Sequence, residues 1–311
     1  MSGDRALVIG EALVDVVVHH DGTREEHPGG SPANVALGLA RLGRPVDLLT
    51  WLAHDAYGQR VRSHLGASGV RVLAGNRSAV STPVAIARVD ETGAASYEFE
   101  LEWDLPTSWD GDDSAPLVVH TGSIATTLQP GGAAVARQVA ARRQGSTITY
   151  DPNLRPAIMG SPAAVMPVVD QMVRSADVVK ASSEDLDWLY PGKPAQDIAA
   201  RWARSGPALV VVTHGRDGSF GVTASGAQVH VDAPAVAVVD TLGAGDSFMS
   251  GLIDGLWSAG LLGAARRSAL HQVDAGTVET LLQRCARLAA ITVSRAGANP
   301  PRSAELDGPM A

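Results

Sequence analysis

Short apolar runs alternate with helical patterns through most of this chain, and that rhythm limits its fold more than any other feature. The runs "ALVIGE", "VDLLTWL", "LVVHTG", "STITYD", "DVVKAS" and "ALVVVTHG" are nearly continuous in apolar and β-branched residues. Strands of that kind are buried on both faces, and helices supply the crossovers that parallel strands need. The pattern predicts an α/β three-layer sandwich around a mostly parallel central sheet. The chain's 311 residues suffice for one such domain with a well-buried core, and 1–311 reads as a single domain.

Two segments depart from the rhythm. Residues 13–22, "LVDVVVHHDG", follow the first strand with no helix between. Residues 82–103 read as a hairpin around Asp90-Glu91-Thr92-Gly93, with Tyr97, Phe99 and Leu101 alternating against Glu98, Glu100 and Glu102. We expect these segments, roughly 13–28 and 80–106, to pair into a small antiparallel sheet that closes a cleft as a lid. Its exposed strand edges lead us to expect a homodimer through the lid.

Charge and cysteine content narrow the partners. A net charge of −8 and two lysines, Lys180 and Lys193, argue against nucleic acid, which needs a basic face. The single cysteine, Cys285, excludes an internal disulfide and fits a reducing cytoplasm. The N-terminus does not read as a signal peptide, and no apolar run is long enough to span a membrane.

The chemistry concentrates in "DTLGAGDSF", residues 240–248. We read "VAVVD" as a strand entering it and "DSFMSGLIDGLWSAG" as a helix leaving it. Gly243, Ala244 and Gly245 then lie at a helix N-terminus, where unpaired N–H groups and the dipole receive anions. Asp246 would repel a bound phosphate, and makes sense there as a base that takes a proton from an attacking hydroxyl. Two other readings compete. Asp246 or Ser247 could simply cap the helix, or Ser247 could be a hydrolase nucleophile. The second lacks G-x-S-x-G, and His271 is the nearest downstream histidine. No G-x-x-x-x-G-K-[ST] occurs, so a phosphate would bind without a P-loop lysine.

"GGSPANVALGLARLG" is a second glycine-led helix start, with Ser31 as N-cap and Pro32 at the first helical position. Gly29 and Gly30 allow close backbone approach. Asn34 and Asp15, at the carboxyl end of the strands, would suit vicinal sugar hydroxyls. "YDPNLRP" offers Asp151, Asn153 and Arg155, "VVKASSEDL" offers Lys180, Ser182 and Asp185, and "VVVTHGRDG" offers Thr213, Gly215 and Gly218. Singly these also read as turns and caps.

In this order the pieces resemble the ribokinase-like (PfkB-type) carbohydrate kinases from "LVIGEALVD" to "TVSRAGANPPRSAEL", and the wording is most like the fructokinase and 2-keto-3-deoxygluconate kinase branch. The resemblance implies transfer of the ATP γ-phosphoryl to a sugar hydroxymethyl group, with Mg2+. It implies Asp246 as catalytic base and Gly243, Ala244 and Gly245 as anion hole. Asp15, Gly29, Gly30, Asn34 and Arg155 match sugar positions, and Lys180, Ser182, Thr213, Gly215, Gly218 and Gly245 match nucleotide positions. Asp240, Thr292, Arg295 and Gly297 match a monovalent-cation site, K+ for example, held mostly by backbone oxygens. Two departures stand out. The family's N-x-x-E is Ser182-x-x-Asp185 here, one carbon shorter toward hydrated Mg2+. The lid carries glutamates and Trp103 where relatives carry a basic residue, which weighs against a phosphorylated sugar. Alternatives are 2-keto-3-deoxygluconate kinase, ribokinase, or a sugar or nucleotide sensor without turnover.

Overall fold

The computed structural model describes residues 3–90, 95–110 and 114–306. The chain starts with β1 (Gly3–Ile9), β2 (Leu13–Val18), β3 (Arg24–Gly29), α1 (Ser31–Arg41), β4 (Val46–Leu49), α2 (Ala56–Gly66) and β5 (Arg71–Val72). It continues with β6 (Val84–Val89), β7 (Ala95–Glu100), β8 (Pro116–Gly122), α3 (Gly131–Arg142), β9 (Thr147–Asp151), α4 (Pro156–Met159), α5 (Pro162–Ser175), β10 (Val178–Ser182) and α6 (Ser183–Leu189). The last elements are α7 (Ala195–Ala203), β11 (Leu209–Thr213), β12 (Ser219–Thr223), β13 (Gln228–Val231), α8 (Ala244–Ser258), α9 (Arg267–His271) and α10 (Ala275–Val293).

The central sheet runs β13-β12-β11-β10-β9-β8-β1-β4-β5. It is parallel from β11 to β5, and β12 and β13 turn back antiparallel at one edge. Its apolar runs are buried on both faces, as the sequence requires. Val135, Val169, Leu186 and Trp202 from α3, α5, α6 and α7 fill one side. Val35, Val61, Leu252 and Leu282 from α1, α2, α8 and α10 fill the other. Three layers result. Chain order reverses between β1 and β8, and open α/β sheets bind ligands outside the carboxyl ends of the strands at such a reversal.

The smaller sheet runs β3-β2-β6-β7. Its order corrects one expectation: β2 pairs with β6 in parallel, so the sheet is mixed rather than antiparallel. The hairpin turn residues Glu91 to Gly93 lie outside the described residues. Trp103 follows β7 and turns inward. It is buried, donates its indole N–H to Ala125 O at 2.9 Å, and packs on Gly131, so it anchors the exit of the small sheet. Two further expectations are corrected. "VAVVD" is coil: the N–H groups of Val239 and Asp240 both donate to Val293 O, at the end of α10, and Val238 and Val239 are 63% exposed. Ser31 is the first residue of α1 rather than its cap, a position taken by Gly30 at φ +101°. Among the described residues no helix is long and apolar enough to cross a membrane.

Candidate functional site

The carboxyl ends of β1, β8, β9, β10 and β11 deliver Glu11, Ser123, Asp151, Ser182 and Thr213 to one edge of the sheet, and α8 begins there. Gly243 caps α8 in the left-handed conformation, φ +74°, and a Cβ on it would lie 2.7 Å from Ala298 Cβ. Only glycine takes that turn at no steric cost. Ala244 N–H reaches Thr241 O and Ser247 N–H reaches Gly243 O. Between them, the N–H groups of Gly245 and Asp246 have no acceptor among the described residues. Two free donors at the positive end of a 15-residue helix form a receptor for an anion.

Asp246 sits beside them, buried in the first turn. It is not a cap: its carboxylate points away from its own helix to three side chains from distant segments. Ser31 Oγ donates to Oδ1 at 2.7 Å, Asn34 Nδ2 to Oδ2 at 2.9 Å, and Asn153 Nδ2 to Oδ1 at 3.4 Å. Asn153 holds an unusual φ of +37° to do so. Ser31 and Asn153 were the partners that spacing could not reveal. Ser247 is no nucleophile, because its hydroxyl is buried and accepts from Thr292 Oγ1 at 2.7 Å.

The residues expected to meet a sugar come together beside the small sheet. Asp15 is half-buried with its carboxylate against Gly29, where an added Cβ would lie 2.1 Å from Asp15 Oδ2. At Gly30 a Cβ would lie 2.6 Å from Glu11 O. Burial pushes the Asp15 carboxyl up to about 6, against the pull of His27 and Arg155. Burial likewise pushes Glu11 up to about 7, although the Ser123 hydroxyl, the Arg155 charge and Ala125 N–H at 3.2 Å favour its ionised form. Glu11 escaped the sequence reading; its place between β1 and Asp15 was the available signal. The Arg155 guanidinium donates to Asn153 Oδ1 and to the backbone oxygens of Asn153 and Leu154.

On the other flank, Lys180 and Asp151 form a buried pair, Nζ to Oδ2 2.9 Å. Burial pushes Asp151 up to about 6 even with Lys180 beside it. Burial opposes the charge of Lys180, but Asp151 and Asp185 hold its proton affinity above the usual lysine range. Ser182 and Asp185 make a capping box on α6. Asp185 N–H donates to Ser182 Oγ, while Asp185 accepts from Ser182 N at 2.9 Å and Leu154 N at 2.7 Å. Thr213 ends β11, and Gly215 and Gly218 at φ +54° and +94° bend the chain into β12. A Cβ on Gly218 would lie 2.1 Å from Val231 O.

Asp240, Thr292, Arg295 and Gly297 do meet in one corner. Asp240 accepts from Leu242 N at 2.9 Å and Gly297 N at 2.8 Å, and Arg295 N–H donates to Thr292 O. The carboxylate of Asp240 therefore ties two loops together.

The chain is similar to known proteins in both sequence and fold. A model of the pfkB family carbohydrate kinases matches residues 4–305. A fructokinase of Rhizobium leguminosarum bv. trifolii is 33% identical over 273 residues, 82% of this chain and 81% of its own length. The crystal structure of a Xylella fastidiosa fructokinase with bound ATP superposes with a TM-score of 0.84 at 25% identity, covering 97% of each chain. A Vibrio cholerae fructokinase double mutant, in a form binding fructose, ADP and potassium ion, gives a TM-score of 0.77 at 26% identity, covering 98% of this chain and 97% of that one.

Proposed function

The chain belongs to the pfkB family of carbohydrate kinases, and from that premise we propose that it transfers the γ-phosphoryl of ATP to a hydroxymethyl group of fructose or a close neutral ketose. The observation that carries the reading is Asp246, buried beside two N–H groups without acceptors at the start of α8. A γ-phosphate received by the N–H groups of Gly245 and Asp246, with Gly243 and Ala244 shaping the turn, gains the field of the helix end where charge develops. Ser31, Asn34 and Asn153 hold the Asp246 carboxylate toward the acceptor, where it takes the hydroxyl proton. Asp15, Gly29, Gly30, Asn34 and Arg155 fix the sugar, and fixed geometry carries most of such a reaction. Lys180, Ser182, Thr213, Gly215 and Gly218 face the nucleotide side.

Mg2+, held through water by Asp185, would offset the negative charge of the phosphates. Each oxygen of Asp185 takes one backbone N–H and keeps a lone pair for a water of the hydrated ion. A monovalent cation beside Asp240 would use carbonyls of the Thr292 to Gly297 turn.

Charge favours a neutral acceptor over a sugar acid or sugar phosphate. Glu11 and Asp15 are both carboxyls disfavoured in their ionised forms by burial, and an anionic sugar would add a third negative group. ADP release should therefore be fastest with fructose in a panel that includes ribose, 2-keto-3-deoxygluconate and fructose 6-phosphate. The sugar KM should rise between pH 7.5 and 5.5, because Glu11 gains its proton as pH falls through about 7 and Asp15 through about 6. A preference for the sugar acid or the phosphorylated sugar would sink this assignment.

The outer strands of the small sheet, β3 and β7, each have one edge without a strand partner among the described residues, and Phe99 on β7 is 37% exposed. Pairing of two such sheets accounts for those edges. Light scattering at micromolar concentration should give twice the chain mass, and a monomer mass would refute the pairing.

A further inference from the structure

We infer that Asp151 is a positioning residue for phosphoryl transfer, holding the Lys180 ammonium over the first turn of α8 so that its charge reaches the anion received there. The inference rests on the reading that the nucleotide phosphates lie at that turn. Its basis is geometric. Asp151 ends β9, and Lys180 stands beside it on the neighbouring strand β10, both buried. Lys180 Nζ lies 2.9 Å from where a Cβ on Gly245 would stand, so the ammonium sits directly against the residue whose own N–H is free. The second oxygen of Asp151, Oδ1, is buried and without a partner among the described residues. A pair kept for stability alone satisfies both oxygens, since an unpartnered buried polar atom is unfavourable.

The charges around this pair explain why a holder is needed. Asp151, Asp185 and Asp246 all act on Lys180. Left unheld, a lysine with four rotatable bonds could swing to Asp246 or Asp185 and quench the carboxylate proposed as base. The bond to Asp151 places the ammonium on the phosphate side instead. Asp151 touches neither sugar nor nucleotide in this account and acts only through Lys180.

The test is a double-mutant cycle on the full chain with Asp151→Asn, Lys180→Met and the double variant. Calorimetry with a non-hydrolysable ATP analogue, and separately with fructose, accompanies steady-state kinetics. Asp151→Asn should weaken analogue binding roughly 10- to 100-fold, the range of one charge-assisted hydrogen bond. It should raise the ATP KM and leave fructose affinity within about twofold. The double variant should match Lys180→Met, because both changes act on one ammonium. Unchanged analogue binding, equal losses for analogue and fructose, or losses that multiply would overturn the inference. If Asp151→Asn fails to fold with a lone buried ammonium, the double variant decides: weaker analogue binding than Lys180→Met alone contradicts the role, and equal binding supports it. Analogue binding is read without turnover, so a wrong acceptor leaves the result intact. A wild-type chain that binds no analogue would fell both readings.

Discussion

Asp254→Ala should lower the unfolding free energy by about 2–3 kcal/mol in denaturant titration, while kcat per folded molecule stays within about twofold. Asp254 lies two turns beyond Asp246 on α8 and is buried. Its Oδ1 accepts from Arg44 Nε at 2.6 Å and its Oδ2 from Arg284 Nη2 at 2.6 Å. One carboxylate thereby joins the segment after α1 to α8 and α10, the layer behind the site. Removing one partner of a buried ion pair typically costs about 3–5 kcal/mol. Both arginines reach solvent, 24% and 39% exposed, and can rehydrate, which places this case somewhat lower. Arg44 also stacks over Trp257 at 5.1 Å and keeps that contact. A change below about 0.5 kcal/mol would mean the triad holds nothing together. A large loss of kcat at full folding would mean that Asp254 reaches the site.

What the sequence disclosed follows the range of the interactions involved. The strands were legible because parallel burial demands unbroken apolar runs, and "ALVIGE" and "ALVVVTHG" became β1 and β11. The α8 start was legible because a left-handed cap and close approach require glycine at Gly243. "VAVVD" looked like the same kind of strand and is coil, because its N–H groups are taken by Val293 O and its valines face outward. Apolar composition alone cannot say whether a strand partner is present. The parallel pairing of β2 with β6 was equally hidden, since register between distant segments leaves no local mark.

The site divides the same way. Ser182 and Asp185 could be read as a capping box from their spacing, and they form one. The partners of Asp246 could not, because Ser31, Asn34 and Asn153 come from α1 and from the loop after β9, far away in sequence. Ser31 at a helix start reads locally as a cap, and only the fold reveals that its hydroxyl serves another helix. The resemblance to sugar kinases supplied roles for Asp246 and Asn34. Bonds across the fold supplied Ser31, Glu11 and the Asp151–Lys180 pair.

The central claim is that Asp246 removes a proton rather than caps α8, and turnover of Asp246→Asn beside calorimetric binding tests it most directly. Asparagine caps helices about as well as aspartate, and its amide can still meet the Ser31 hydroxyl and the Asn34 amide. Shape and fold should therefore persist while the proton acceptor is lost, and loss of a general base lowers rates by about 10²–10⁴-fold. The account predicts a fall in kcat of that size for ADP release with fructose. Fructose affinity should stay near wild type, and a non-hydrolysable ATP analogue should bind as well or better, with one negative charge gone from beside its phosphate. Near-normal kcat in Asp246→Asn, with both ligands bound, would contradict the mechanism.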